Sequence, residues 1–456
     1  MADGTRNMTV GSPAGHLIRF ALPLLAGSFL QQLYNMVDSF VVGRYVGDAA
    51  LAAVGVGFPV LFMFTSLFTG LANGGTVVIA QLYGAGELQR VRDAVDTIYT
   101  AFLLSVLPVT LAAVALVKPL LVVLRVDASV WQDAWLYLTV VCAGLIGTIG
   151  YNLNAGILGG LGNSRSTLLF LSIAAILNII LDFALVLWAG MGVLGVALAT
   201  IFSQAVSWVF GIVFINRRYP QIAIRPFPLR FDRDLFRQIM GVGLPAGIQM
   251  SLVALGSMVI MSKVNSFGEA YTAGYNAGYR MDQLAFLPIQ SVASAATAFV
   301  GQNMGARLPQ RARQGIRSAV AASVVWSLLM AAILMPAAPR LIALFSRTPA
   351  VIDAGTAYLW SIMPFYVFFA VFFTLNSAMR GAGESVFPML NTIFSLILLR
   401  APSLYLIADR FGPDFMYLGF GVGWLAGFFI TVGYYRSGRW MRRGSLADQV
   451  ISAPKS

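Results

Sequence analysis

Long apolar runs, broken by short clusters of glycine, proline and charge, set the pattern of this chain. Stretches without a charged residue cover 97–117, 134–164, 183–216, 238–262, 283–306, 318–339, 354–379 and 415–435. About 20 apolar residues cross the hydrocarbon core of a bilayer as a helix. Dividing the runs at charges and glycines predicts twelve helices. They cover roughly 17–43, 50–80, 94–122, 131–158, 166–189, 192–215, 238–264, 273–300, 315–345, 352–379, 386–408 and 415–436. The pattern is that of an all-α integral membrane protein.

Composition agrees with this reading. The 456 residues are 58% hydrophobic and 11% charged, against about 25% charged in a soluble domain. The net charge of +12 raises the question of a nucleic-acid partner, and its distribution answers no. With the N-terminus inside, inner loops and tails hold 21 Lys/Arg and outer loops hold seven, while Arg280 and Arg400 fall inside helices. That is the positive-inside asymmetry, and it places both termini in the cytoplasm. Cys142 is the single cysteine, so no internal disulfide is available. His16, the single histidine, sits near the start of the first helix. Neither a GxxxxGK[ST] phosphate loop nor an HExxH motif occurs, which disfavours an ATP-driven pump or a membrane metalloenzyme. No enzymatic activity is expected.

Two carboxylates stand alone in the apolar helices of the first half: Asp38 in FLQQLYNMVDSFVVG and Asp182 in ILNIILDFALVLW. A charge at membrane depth is expensive and marks a functional position by default. Asn178 and Asp182 are four residues apart and share a helix face. Tyr34 and Asn35 precede Asp38 by about one turn, with Gln31 a turn further back. Asp38 lies about 27 Å along its helix from Phe20, and Asp182 about 26 Å beyond Arg165, at roughly 1.5 Å per residue. Both carboxylates are therefore expected at similar depth. In the second half, Arg280, Asp282 and Arg400 either line a cavity or bond helix ends and carbonyls freed by Pro402. Gln249, Met258, Phe369 and Asn376 offer polarizable, aromatic or amide surface for a substrate cavity, together with Gln31, Tyr34 and Asn35.

The chain also repeats itself at an offset of about 221 residues. AQLYGAGELQRVRDAV (80–95) realigns on GQNMGARLPQRARQGI (301–316), and Gly160 and Gly162 match Gly381 and Gly383. The expected organisation is an N-terminal tail (1–16), a six-helix lobe (17–215), a basic linker (216–237), a second six-helix lobe (238–436) and a C-terminal tail (437–456). An even number of helices per repeat gives both halves one orientation. Transporters built from parallel repeats bind substrate between the halves and alternate access.

Several segments resemble the multidrug and toxic compound extrusion family. They are LPLLAGSFLQQLYNMVDSFVVGRYVGDAALAAVG, AQLYGAGELQRVR, ILGGLGNS, LNIILDFALV, YRMDQLAFLPIQ, FVGQNMGAR and AMRGAGES, in family order across residues 15–440. The resemblance implies twelve helices in two lobes. It also implies efflux of organic cations or amphiphiles by antiport with H⁺ or Na⁺, with no cofactor beyond that ion. Carried over residue by residue, the cation site falls on Asp38, Asn178, Asp182, Thr200 and Asn154. With Na⁺ as the ion, Asp38, Asp182, Asn178 and Thr200 are its ligands. Where one branch of the family has membrane acids on the seventh and tenth helices, this chain has neutral residues around Gln249 and Phe369. The implied setting is a monomer in the bacterial inner membrane, in contact with lipid and small-molecule substrates and with no nucleic acid. A lipid-linked oligosaccharide flippase of related two-lobe build is the alternative. A major-facilitator transporter is disfavoured, because GAGELQRVR replaces the Asp-Arg and Gly-Arg signature expected after helix two.

Overall fold

The computed structural model describes residues 5–124, 126–225 and 229–443, apart from the side chains at 58, 59, 63, 67, 442 and 443. Pro226, Pro228 and the tail from 444 onward lie outside the described residues. Among the described residues there is helix and no strand. The first unit of sequence carries α1 (Pro13–Val41), α2 (Asp48–Gly84), α3 (Leu88–Val123), α4 (Ala128–Ala143), α5 (Leu145–Gly160), α6 (Ser164–Asp182) and α7 (Gly192–Arg218). The second carries α8 (Arg233–Asn265), α9 (Glu269–Gly305), α10 (Pro309–Ala343), α11 (Pro349–Ile362), α12 (Tyr366–Gly381), α13 (Val386–Thr392), α14 (Arg400–Phe411) and α15 (Leu418–Arg436), followed by the short α16 (Arg439–Arg443). Among the described residues eleven segments are long and apolar enough to span, and α4 with α5, bent by 49° at Gly144, make a twelfth. α11 joins α12 through a 3-10 turn at Met363–Phe365. α13 joins α14 through π-helical Ile393–Leu399. The twelve predicted spans are all present.

Duplication is visible in the backbone. Gly47, Gly86 and Gly162 turn with φ of +126°, +79° and +76°, and their counterparts 221 residues later, Gly268, Arg307 and Gly383, turn with φ of +95°, +57° and +97°. Arg307 is the one non-glycine residue among the described ones to hold a positive φ. Helix packing repeats too. Thr76 Oγ1 donates to the Gly156 carbonyl at 3.0 Å, and Thr297 Oγ1 donates to the Ser377 carbonyl at 2.8 Å. Each bond ties the second helix of a repeat to the fourth. Thr76→Val or Thr297→Val should each lower thermal stability in detergent by about 1 kcal/mol, the net worth of such a bond. A melting curve unchanged in both variants contradicts this.

Two compact units divide the chain: residues 1–7 with 22–247, and 8–21 with 248–456. These limits differ from the expected 17–215 and 238–436. The start of α1 belongs to the second unit, and the start of α8 to the first. Local bonds explain the exchange. In the second unit the Met8 amide donates to Gln302 Oε1 at 2.9 Å, while Arg311 Nε and Nη2 donate to the Met8 carbonyl at 3.2 and 3.1 Å. In the first, Thr100 Oγ1 donates to the Arg230 carbonyl at 2.7 Å and the Asp232 amide donates to Thr97 Oγ1 at 3.1 Å. The linker is tied to the first unit as well, since Asn216 holds Ile224 through its Oδ1 (2.7 Å) and Nδ2 (3.0 Å). Both divisions adjoin a proline inside a helix, Pro23 in α1 and Pro245 in α8. Proline lacks the N–H needed for the i→i−4 bond and weakens the turn it occupies.

Candidate functional site

The two isolated carboxylates of the first unit come together. α6 is fixed at its start by Asn163, whose Oδ1 accepts from the Ser166 amide at 3.1 Å and whose Nδ2 donates to Tyr219 Oη at 2.8 Å. From that cap the helix runs about 29 Å, at roughly 1.5 Å per residue, to Asp182. Asp182 is fully buried and Asn178 is 2% exposed. Asp38 on α1 faces Asp182 closely enough for the two carboxyl groups to act on each other directly. Both Asp182 oxygens, Asp38 Oδ1 and both polar atoms of the Asn178 amide are buried without a hydrogen-bond partner.

Buried polar atoms are almost always bonded, so such a group of exceptions calls for an explanation. Two carboxylates at this separation repel unless a proton or cation is shared between them. The arrangement is therefore rich in acceptors and short of positive charge. Among the described residues no three His, Cys, Asp or Glu side chains converge. A cation here would draw on two carboxylates and the Asn178 amide oxygen, a hard oxygen set that suits Na⁺ or a bound proton. The backbone beside both acids is unusual: π-helical Val42–Val46 follows α1 and π-helical Phe183–Trp188 follows Asp182. Such turns occur often at functional sites.

The other predicted residues divide. Tyr34 is buried beside Asp38 and bonded to Gln31, whereas Gln31 and Asn35 are themselves exposed. The polar stripe is thus split between an inward face, Tyr34 and Asp38, and an outward one. Thr200 donates its hydroxyl to the Val196 carbonyl of its own helix at 3.0 Å. Asn154 is bonded to other partners. Its Oδ1 accepts from Tyr99 Oη and its Nδ2 donates to the Trp208 carbonyl at 3.0 Å, so both ends of the amide serve packing. In the second unit Gln249 donates to Thr392 Oγ1 at 2.8 Å, and Met258 is exposed. Phe369 stacks on Trp424 at 4.8 Å, and Asn376 is buried with Nδ2 unpartnered.

Two aromatic neighbours escaped the sequence reading. Tyr137 on α4 feels the charges of both Asp38 and Asp182, and Tyr151 on α5 neighbours Tyr34. An isolated tyrosine in an apolar helix carries no signal of its own. The repeat did carry one: Tyr137 recurs as Tyr358, 221 positions later.

Comparison with known proteins agrees with this architecture. The MatE family profile matches twice, at residues 23–184 and 245–406, once in each repeat. Probable multidrug resistance protein YpnP of Bacillus subtilis is 30% identical over 437 residues, covering 95% of this chain and 97% of YpnP. Probable multidrug resistance protein NorM of Thermotoga maritima is 26% identical, covering 95% of each chain. Among solved structures, a multidrug resistance MATE family transporter of the MOP superfamily, in an outward-facing conformation, superposes with a TM-score of 0.88 at 23% identity. That match covers 98% of this chain and 99% of that one. With the profile matching both repeats and the YpnP match spanning nearly the whole of each chain, this protein belongs to the MatE family of multidrug and toxic compound extrusion transporters.

Proposed function

We propose that the protein exports organic cations or amphiphilic drugs by antiport with H⁺ or Na⁺, the ion binding at Asp38 and Asp182. The observation that carries this reading is the acid pair, whose three buried carboxylate oxygens stand without partners beside an unpartnered Asn178 amide. The names of the relatives, multidrug resistance proteins in Bacillus and Thermotoga, support the substrate class. Binding of the ion shifts the carrier between outward-open and inward-open states by no more than its difference in affinity for the two. An ion that favours the outward-open form drives substrate off on the outside and so couples the two fluxes.

Inverted vesicles loaded by imposed Na⁺ or H⁺ gradients, one at a time, test the reading. Uptake of a fluorescent organic cation should follow one gradient and collapse when that gradient is dissipated. Uptake indifferent to both gradients rejects antiport.

We also propose that both termini and the 216–237 segment are cytoplasmic and that the chain resides in the bacterial inner membrane. The 21-to-7 partition of basic residues supports this orientation. A cysteine placed at Arg225 in a Cys142→Ala background should resist an impermeant thiol reagent in intact cells and react once cells are opened. Labelling in intact cells reverses the topology.

A further inference from the structure

The second unit holds a buried set of hydrogen-bond donors with nothing to donate to. Arg400 opens α14, immediately after the π-helical Ile393–Leu399 segment, and is 6% exposed. Its guanidinium lies over the Phe420 ring at 4.9 Å, and its Nε and Nη2 are without partners. Those two nitrogens form one edge of the guanidinium, the edge that grips a carboxylate or phosphate with two parallel bonds.

Phe420 stands between Tyr417 and Trp424, three residues after one and four before the other, so the three share a face of the helix. Tyr417 Oη and Trp424 Nε1 are likewise buried and unpartnered. Tyr358 of α11 closes the group, its ring 4.9 Å from Tyr417 and 6.0 Å from Phe420. Asp282 is the acid within electrostatic reach of Arg400. Its Oδ2 accepts from Tyr358 Oη at 3.1 Å, its backbone carbonyl accepts from Tyr366 Oη at 3.3 Å, and among the described residues it forms no ion pair with Arg400. Tyr358 thus holds one oxygen of the acid, while the free guanidinium edge, Tyr417 and Trp424 remain without an acceptor.

The repeat places this cluster. Tyr358 is the counterpart of Tyr137, and each ring is seated against a glycine. A Cβ at Gly57 would stand 2.8 Å from Tyr137, and one at Gly278 would stand 2.6 Å from Tyr358. Around Tyr137 are the acids of the first unit; around Tyr358 are Asp282 and Arg400. The duplicated position is acceptor-rich in one unit and donor-rich in the other.

We propose that the Arg400 cluster binds the carboxylate or phosphate group of a planar organic substrate. Arg400 grips the anion, Tyr417 and Trp424 donate to it, and the Trp424–Phe369 stack borders the site. Substrates would then include zwitterions and organic anions as well as cations. The inference rests on reading the chain as a carrier of small organic compounds.

A fluorescent rhodamine bearing a free carboxylate and its methyl ester separate the two readings, with binding followed by anisotropy on the detergent-purified protein. The wild type should bind the acid about tenfold more tightly than the ester, as expected for a hydrogen bond to a charged group. Arg400→Gln should erase that preference by weakening binding of the acid far more than binding of the ester; Trp424→Phe, which keeps an aromatic ring and removes the N–H, should reduce the preference in part. A wild type that binds the acid no better than the ester overturns the anion site, and tight ester binding in that case leaves drug export standing. A preference that survives in folded Arg400→Gln also overturns it. If that variant fails to fold, an undiminished preference in Trp424→Phe does so instead.

Discussion

Asp38→Asn should cut gradient-driven efflux by roughly 100-fold, the upper range of a single coupling free energy, while leaving the protein at its normal level in the membrane. The amide has nearly the shape of the carboxylate, so packing around Asp182 and Asn178 is preserved. What it removes is the second negative charge, and with it the reason for a proton or cation to bind. Asp182→Asn should behave alike, because the two carboxyl groups on α1 and α6 act on each other directly. Residual downhill movement of substrate is expected in both variants, since the route itself is intact. Efflux assays with membrane protein quantified in parallel decide the matter. Wild-type dependence on the ion gradient in both variants, at normal abundance, removes the acid pair from the mechanism.

The largest expected effect on stability is at Gly243. α8 crosses α2 glycine to glycine: a Cβ at Gly243 would stand 2.5 Å from the Gly70 carbonyl oxygen, and one at Gly70 would stand 2.9 Å from the Gly247 Cα. The obstructing atoms are backbone, so no side-chain rotation relieves the clash and the helices must separate. Small residues at such crossings let helix backbones approach in lipid, where packing rather than water drives association. Gly243→Val should therefore cost about 3 kcal/mol or more. Gly241, two residues earlier, has no atom within 4 Å of its would-be Cβ. Gly241→Ala should be neutral or stabilising by up to about 1 kcal/mol, because alanine is the better helix former. Thermal unfolding of both variants in one detergent gives the comparison directly. Equal stabilities would show that the crossing is slack.

Hydropathy and repeat made most of this architecture legible. Twelve spans need only length and apolar character, and polar loops such as AQLYGAG and GQNMGAR keep their register because a left-handed turn recurs in each. The acid pair was legible for a different reason, since Asp38 and Asp182 are charges where a lipid-facing helix tolerates none. What sequence hides is which polar groups are already satisfied. Asn154 and Asn178 look alike in an apolar run, yet one amide is spent on Tyr99 and Trp208 while the other is left open beside Asp182. Arg400 was visible as a charge, but its lack of an acceptor depends on Asp282 turning toward Tyr358. The π-helical segments at 42–46, 183–188 and 393–399 also have no sequence period of their own to betray them.

The reciprocal placement of the two helix starts bears on how the chain is made. Residues 8–21 leave the ribosome before the rest of the second unit, yet the Met8 amide finds Gln302 only 294 residues later. At ordinary rates of synthesis that wait is on the order of 15 to 60 s. A nascent chain that has reached residue 225 has inserted six spans but lacks 229–232, the segment that bonds Thr97 and Thr100 on α3. Neither bundle is then a finished product of its own half of the message. Each is closed by a piece encoded in the other half, so the first six spans must stay incomplete in the membrane until translation passes the midpoint, and residues 8–21 cannot dock until Gln302 and Arg311 have been made.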